Sequence, residues 1–224
     1  MPGKTAPKSK AGDDEISAVE VALLHDAWTR TWHEPFVEPE TTDLPVARPG
    51  PQASLRQLVR EQHRRNFDLW HEEDKARAPG AGDAAIAQVK RRIDALNQQR
   101  SDFTERLDAT LVRVLKRRGV RAARGSPWNS ETPGSAIDRL SILSLRIYHM
   151  REEEERREAP AAHRAACRTR RRLLERQRMD LVVALECLLE DLFRGRKVLR
   201  AHRHFKMYND PDLNPVVYRS KRAR

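Results

Sequence analysis

Asn66-Phe67-Asp68-Leu69-Trp70-His71-Glu72-Glu73-Asp74-Lys75-Ala76-Arg77 decides how this chain folds. Followed back toward the N-terminus at i, i+3, i+4 and i+7, it puts Leu55, Leu58, Val59, Gln62, Asn66, Leu69, Trp70, Glu73 and Arg77 along one side of a helix. The stripe starts apolar and turns polar partway along. Buried polar groups require partners, so other helices must supply them, and the polar end is either a structural network or a ligand site. Spacing alone leaves both open.

Working outward, this helix is expected from about Ser54 to Ala78, stopped by Pro79-Gly80-Ala81-Gly82. Asp83 reads as the N-cap of a long helix reaching about Arg118, with Ile86, Val89, Ile93, Leu96, Asn97, Arg100, Thr104, Leu107, Leu111 and Val114 inward. Its polar interruptions, Asn97 and Arg100, also fall at mid-length, and a short turn makes the two helices antiparallel neighbours. Upstream, a helix from about Glu15 to His33 is expected to turn Ile16, Val19, Leu23, Ala27 and Trp28 or Trp32 inward. Pro35, Pro39, Pro45, Pro49 and Pro51 make the span to Gln52 an extended connection.

Downstream, a fourth helix is expected from Ala136 to about Glu158, where Ile137, Leu140, Ile142, Leu143, Leu145 and Ile147 are apolar nearly all round. Pro160 marks a break. A fifth helix should follow from Ala161 to about His202, with a strong apolar face only from Leu173 to Phe193. The predicted fold is therefore all-α: an antiparallel bundle of about five principal helices, with the Pro-rich connection and a C-terminal loop, Lys206 to Tyr218, folding back. Residues 1–14 and the basic 219–224 read as disordered tails around one helical domain, 15–218.

Composition agrees with long two-faced helices: 38% of the 224 residues are hydrophobic and 34% charged. The net charge of +11 gathers from Arg194 onward, where Asp210 and Asp212 are the only acids. No stretch approaches the roughly 18 apolar residues of a membrane span, and the opening Met1 to Lys10 has no apolar core of a secretory signal. The expected location is cytoplasmic. Cys167 and Cys187, some 30 Å apart if on one helix, cannot bridge each other there.

No nucleophile elbow, P-loop, dinucleotide fingerprint or zinc spacing is present. His71 beside Glu72-Glu73-Asp74 has the ingredients of a metal site, but di-metal carboxylate bundles use Glu-x-x-His on facing helices, and this chain has none. No metal or cofactor is therefore expected, and no catalytic residue is assigned. Around the fourth helix, Thr132 or Ser135 suits the cap, Pro133 the first turn and Asp138 the helix dipole. The same helix start, with the hydroxyls of Ser130, Thr132 and Ser135, has the means to receive a phosphate or sugar. Glu131 and Asp138 favour a polyhydroxylated ligand over a bare anion. Arg164, Arg168, Arg170, Arg171, Arg172, Arg176 and Arg178 form a basic stretch whose usual meaning is a solvated face. With 5% aromatic residues and no base-reading module, nucleic-acid binding is disfavoured.

Three blocks together resemble a bacterial family of unknown function, DUF4254. They are Asn66-x-x-Leu69 through Arg77 with Ile93 to Arg100, Asn129 to Ser135 with Ile137 to Leu143, and Phe205 to Pro211 with Leu213-Asn214-Pro215. The resemblance runs from about Leu23 to Tyr218. It implies a cytoplasmic helical protein whose relatives keep company with envelope-glycan and glycosyltransferase functions. It also implies that the first two blocks dock, bringing Asp138 and Arg139 beside Asn66, Glu73, Asp74 and Arg77.

The expected ligand site comprises Asn66, Glu73, Asp74, Arg77, Asn97, Arg100, Glu131, Asp138, Arg139, Tyr208 and Asn209. Glu73, Asp74 and Glu131 would accept from hydroxyls, and Arg77, Arg100 and Arg139 would hold a phosphate or carboxylate. The expected ligand is a sugar or sugar phosphate. The alternatives are a scaffold docking a protein partner, with the polar positions fixing helix register, and nucleic-acid binding through Arg164 to Arg178 and the C-terminal tail.

Overall fold

The computed structural model describes residues 16–34, 53–203 and 212–216. The Pro-rich connection, both tails and most of the C-terminal loop lie outside the described residues. Five helices are present, α1 (Ala18–His33), α2 (Leu55–Ala76), α3 (Asp83–Arg117), α4 (Pro133–Glu155) and α5 (Ala161–Phe193), and no strand occurs among the described residues. None of these helices is long and apolar enough to cross a membrane.

Local chemistry fixes most of the helix starts. Ser17 caps α1 by accepting from the Glu20 N–H, and Ser54 and Gln57 form a reciprocal capping box on α2. Thr132 caps α4 with Pro133 in its first turn. Several boundaries differ from the sequence expectation, among them the starts of α1 at Ala18 and of α4 at Pro133. Gly82, not Asp83, occupies the cap position of α3 and makes no side-chain bond there. Helix α4 stops at Glu155, where Arg156 is extended and the Ala159 N–H returns to its carbonyl just before Pro160. Helix α5 stops at Phe193 because Gly195 (φ 70°) turns the chain left-handed and the Arg196 and Lys197 N–H groups return to the Asp191 carbonyl.

Cross-helix contacts define the directions. Glu72 faces Arg92 and Arg65 lies over Phe103, so α2 and α3 are antiparallel. Glu154 with Arg168 and Ser144 with Arg178 show the same for α4 and α5, as do Gly134 with Asp108 and Asp138 with Arg100 for α3 and α4. Glu20 reaches Arg56 and Thr29 reaches His63, so α1 and α2 run parallel. Such a pair needs a connection that retraces about 24 Å of helix, which the segment between Glu34 and Ser54 is long enough to do. Helix α4 is parallel to α2 as well, since Gln62 meets Asp138 and, further along both helices, Trp70 meets His149. Helices α1, α2 and α4 therefore end at the same end of the bundle.

The interior is layered along that axis. Near the starts of α1, α2 and α4 it is apolar, built from Ile16, Val21, Leu55, Leu58, Val59, Leu107, Leu111, Ile137, Leu140 and Leu185, each fully buried side chain contributing about 1.5–3 kcal/mol. A polar layer follows, and beyond it a layer of aromatic and histidine rings. Ile16, just before α1, and Trp28 stand in or against this interior as expected, but the rest of the face that α1 turns inward differs from the one expected. Val19 and Leu23 are 53% and 65% exposed, while Ala18, Val21, Ala22, His25 and Thr29 are buried. Small side chains let α1 approach its neighbours, and the polar layer gives His25 and Thr29 a place that apolar counting does not anticipate. Ile86 is exposed because α3 overshoots the end of α2. Cys167 is buried, Cys187 is exposed, and both are free.

Helix α4 begins in close contact with α3. A Cβ on Gly134 would stand 2.6 Å from the Thr104 carbonyl oxygen and 2.9 Å from Asp108 Oδ1. The Asp108 carboxylate meanwhile accepts from the Gly134 N–H at 2.8 Å. Gly134→Ala is therefore expected to destabilise the protein by about 2 kcal/mol, the overpacking outweighing alanine's better helix propensity. Urea denaturation measures this. An unchanged or raised midpoint would mean that the start of α4 shifts freely off α3.

Candidate functional site

Asp138, one turn into α4, gathers three helices. Its Oδ1 accepts from Arg100 Nε at 2.7 Å and from Asn66 Nδ2 at 3.0 Å, and it also accepts from Gln62 Nε2. Oδ2 takes the second arm of the Arg100 fork. The pairing with Asp138, first through its hydrogen bonds, pushes the Arg100 guanidinium above its ordinary pKa. The network continues inward. Asn66 Nδ2 donates to Ser141 Oγ at 2.9 Å, Ser141 Oγ lies 2.7 Å from His63 Nδ1, and His63 Nε2 lies 2.9 Å from Thr29 Oγ1. Ser141 and His63 have the spacing of a nucleophile and its base. Both are completely buried, and burial drives the His63 imidazole down to about 3, so this pair serves as an internal tie between helices.

Beside this clamp, α2, α3 and α4 enclose a pocket of about 440 Å³, a size suited to a small ligand. Leu69, Ile142 and Leu145 give it apolar surface, Trp70 an aromatic wall, and Asn66, Glu73, Asp74, Arg77, Asn97, Arg100 and Arg146 its polar surface. Six residues singled out from the sequence thus line one cavity: Asn66, Glu73, Asp74, Arg77, Asn97 and Arg100. Asp138 does not line it but holds Arg100 and Asn66 in position. Glu73 and Arg77 pair with each other at 2.8 Å one turn apart. Asp74 and Arg146 have no ion-pair partner among the described residues. Behind Trp70, the His149 ring stacks at 4.6 Å.

Glu131 and Arg139 stand elsewhere. They pair with each other at 2.8 Å on the surface at the start of α4 and do not line the pocket. Tyr208 and Asn209 lie outside the described residues. The start of α4 is itself occupied, since Thr132 takes the Ser135 N–H and Asp108 the Gly134 N–H. Sequence reasoning missed Ile142, Leu145 and Arg146 as lining residues and Gln62 as a partner of Asp138. The signal was present: Ile142, Leu145 and Arg146 follow Asp138 at i+4, i+7 and i+8, one helical face.

The basic stretch of α5 draws its counter-charge from α4. Arg168 and Arg171 both hold Glu154, which keeps that carboxyl well below the usual carboxylate range, through Arg171 first. Arg171 also reaches Glu175, and Arg178 reaches Asp26 on α1.

A family model described as protein of unknown function (DUF4254) matches residues 56–201, more than half of the chain. The chain belongs to this family. The DUF4254 match takes in α2 through α5 and every described residue of the pocket and the Asp138 clamp. Neither a curated protein nor a solved structure matches the chain.

Proposed function

We propose that this DUF4254 protein binds, or acts on, a small polar ligand of the sugar or sugar-phosphate class in the pocket between α2, α3 and α4. The observation that carries the reading is the pocket's unspent polarity. Arg146 faces a cavity large enough for a monosaccharide phosphate with no ion-pair partner among the described residues, and Asp74 beside it makes no ion pair there, its carboxylate feeling only the nearby His71 and His149 rings. Arg146 suits a phosphate, Asp74 and Glu73 suit hydroxyl donors, and Trp70 offers a flat apolar face for a sugar ring. The Asp138 clamp supports the reading because it fixes Arg100 and Asn66 in place before a ligand arrives. A role in envelope-glycan metabolism in the cytoplasm, which the family resemblance implies, belongs to the same proposal.

The test is a thermal-shift panel of sugar phosphates and sugar nucleotides, followed by titration calorimetry with whichever compound raises the melting temperature. Arg146→Ala should leave the unliganded protein as stable as the parent, because Arg146 is exposed and unpaired. It should weaken binding of a phosphorylated ligand by about 10- to 100-fold, the value of one charged hydrogen bond. A panel without a shift, together with a stoichiometric protein partner from a pull-down, would replace this reading with that of a docking scaffold.

A further inference from the structure

We propose that His33, His71 and His149 bind one divalent transition-metal ion of the zinc class through their Nε2 atoms, at the end of the bundle where α1, α2 and α4 finish together. The site adjoins the pocket described above, across the Trp70–His149 stack, but its three ligands do not line that pocket and it does not depend on the ligand proposed there.

One ring nitrogen from each of the three lies within 4.8 Å of the others. The Nε2 atoms are the ones available. All three are buried and have no hydrogen-bond partner, a costly condition for a polar atom. Two of the rings have their tautomer fixed from behind. His33 Nδ1 lies 2.7 Å from the Thr29 carbonyl, which only accepts, so Nδ1 carries the proton and Nε2 presents a lone pair. His149 Nδ1 lies 2.7 Å from the Glu152 carboxylate, with the same consequence. A carbonyl or carboxylate behind the outer nitrogen is the arrangement that orients metal-binding histidines.

Neighbouring rings restrict the planes further. Tyr148 stacks on His33 at 4.2 Å, Trp70 stacks on His149 at 4.6 Å, and Phe67 meets His71 edge-on at 4.5 Å. The three imidazoles cross one another at 65° to 79°. They therefore approach by their edges and do not stack. Burial, acting before any neighbouring charge, lowers the pKa of His71 and His149, which keeps them in the neutral form a metal requires. The surroundings also favour a cation, because the three helix C-termini direct carbonyl oxygens toward this end.

Tetrahedral coordination at roughly 2.0–2.1 Å places ligand nitrogens about 3.3 Å apart, so each ring closes inward by at most about 0.9 Å. Three imidazoles leave a fourth position for water. The ion would tie the end of α1 to α2 and α4, across the long connection that joins α1 to the rest of the chain.

The experiment uses the full-length chain without a histidine tag, stripped of metal and then freed of chelator. Titration with Zn²⁺ should reach one ion per chain and raise the melting temperature, and Co²⁺ should develop the visible absorption bands of a low-coordinate nitrogen site. His71→Gln and His149→Gln should each abolish the titration with circular dichroism unchanged, while His202→Gln, outside the cluster, should not. Glu152→Gln, which spares all three ligands, should weaken Zn²⁺ binding by about 10- to 100-fold. The proposal is overturned if the parent fails to bind Zn²⁺ or Co²⁺. It is equally overturned if a variant lacking all three histidines binds them with the parent's stoichiometry and affinity.

Discussion

Asp138→Ala is expected to lower the stability of the protein by about 3 kcal/mol, the largest loss of any single replacement near the pocket. Three donors from two other helices converge on this carboxylate: Gln62 and Asn66 of α2 and Arg100 of α3. Removing one member of a buried ion pair costs about 3–5 kcal/mol, because the remaining charge keeps its desolvation penalty without its compensation. The Arg100 side chain is 30% exposed and recovers some hydration, which places the loss at the low end of that range. Gln62 is fully buried and recovers none, and Asn66 keeps only its bond to Ser141. Urea denaturation at constant slope reads the loss directly. The mechanism makes a second demand. In the double variant Arg100→Met/Asp138→Leu the stranded charge is gone, so much of the stability should return. A loss under about 1 kcal/mol for Asp138→Ala, or a double variant no better than the single one, would mean that the clamp is not what joins α4 to α2 and α3.

The same carboxylate shows what could be read before the fold was known. The stripe from Leu55 to Arg77 identified α2 and its polar end, because a period of 3.6 assigns a face wherever apolar residues are dense. The likeness to DUF4254 anticipated that Asp138 meets Asn66. It could not bring Arg139 to the same place, since successive helical residues point about 100° apart. Once Asp138 faces α2 and α3, Arg139 turns outward to Glu131. Helix α1 was misread for another reason. Its Val19 and Leu23 look like core, yet the face that packs carries His25 and Thr29, whose burial only makes sense opposite His63. The meeting of His33, His71 and His149 was beyond any spacing argument. They are far apart in sequence and come together only because α1, α2 and α4 run parallel.

Between pH 7 and pH 5 the protein is expected to lose about 2 kcal/mol of stability through His63 alone, with His25 adding to the loss. Both rings are completely buried and stack at 4.4 Å. Burial is the main cause that lowers His63 to about 3, and burial, then the charges of His63 and Arg178, lower His25 well below its ordinary value. The sign follows from the unfolded chain, whose histidines titrate near 6.5. Above that pH both states are neutral and stability is flat. Below it the unfolded chain takes up protons that the fold refuses, so stability falls by about 1.36 kcal/mol per pH unit for each such ring. For His63 the fall continues until the folded ring itself protonates near 3. Carboxylates affect this window less. Glu154, held below its ordinary range, loses its contribution only in more acidic solution, and Asp68, raised by burial, opposes the trend. His71 and His149 are lowered too and share its direction, so the assignment needs a variant. In His25→Leu/His63→Gln the urea midpoint should fall less steeply between pH 7 and pH 5 than in the parent. If the two slopes match, the acid sensitivity belongs to the cluster at the helix ends. If neither midpoint moves, the buried pair accepts protons, and the polar layer is more hydrated than its packing indicates.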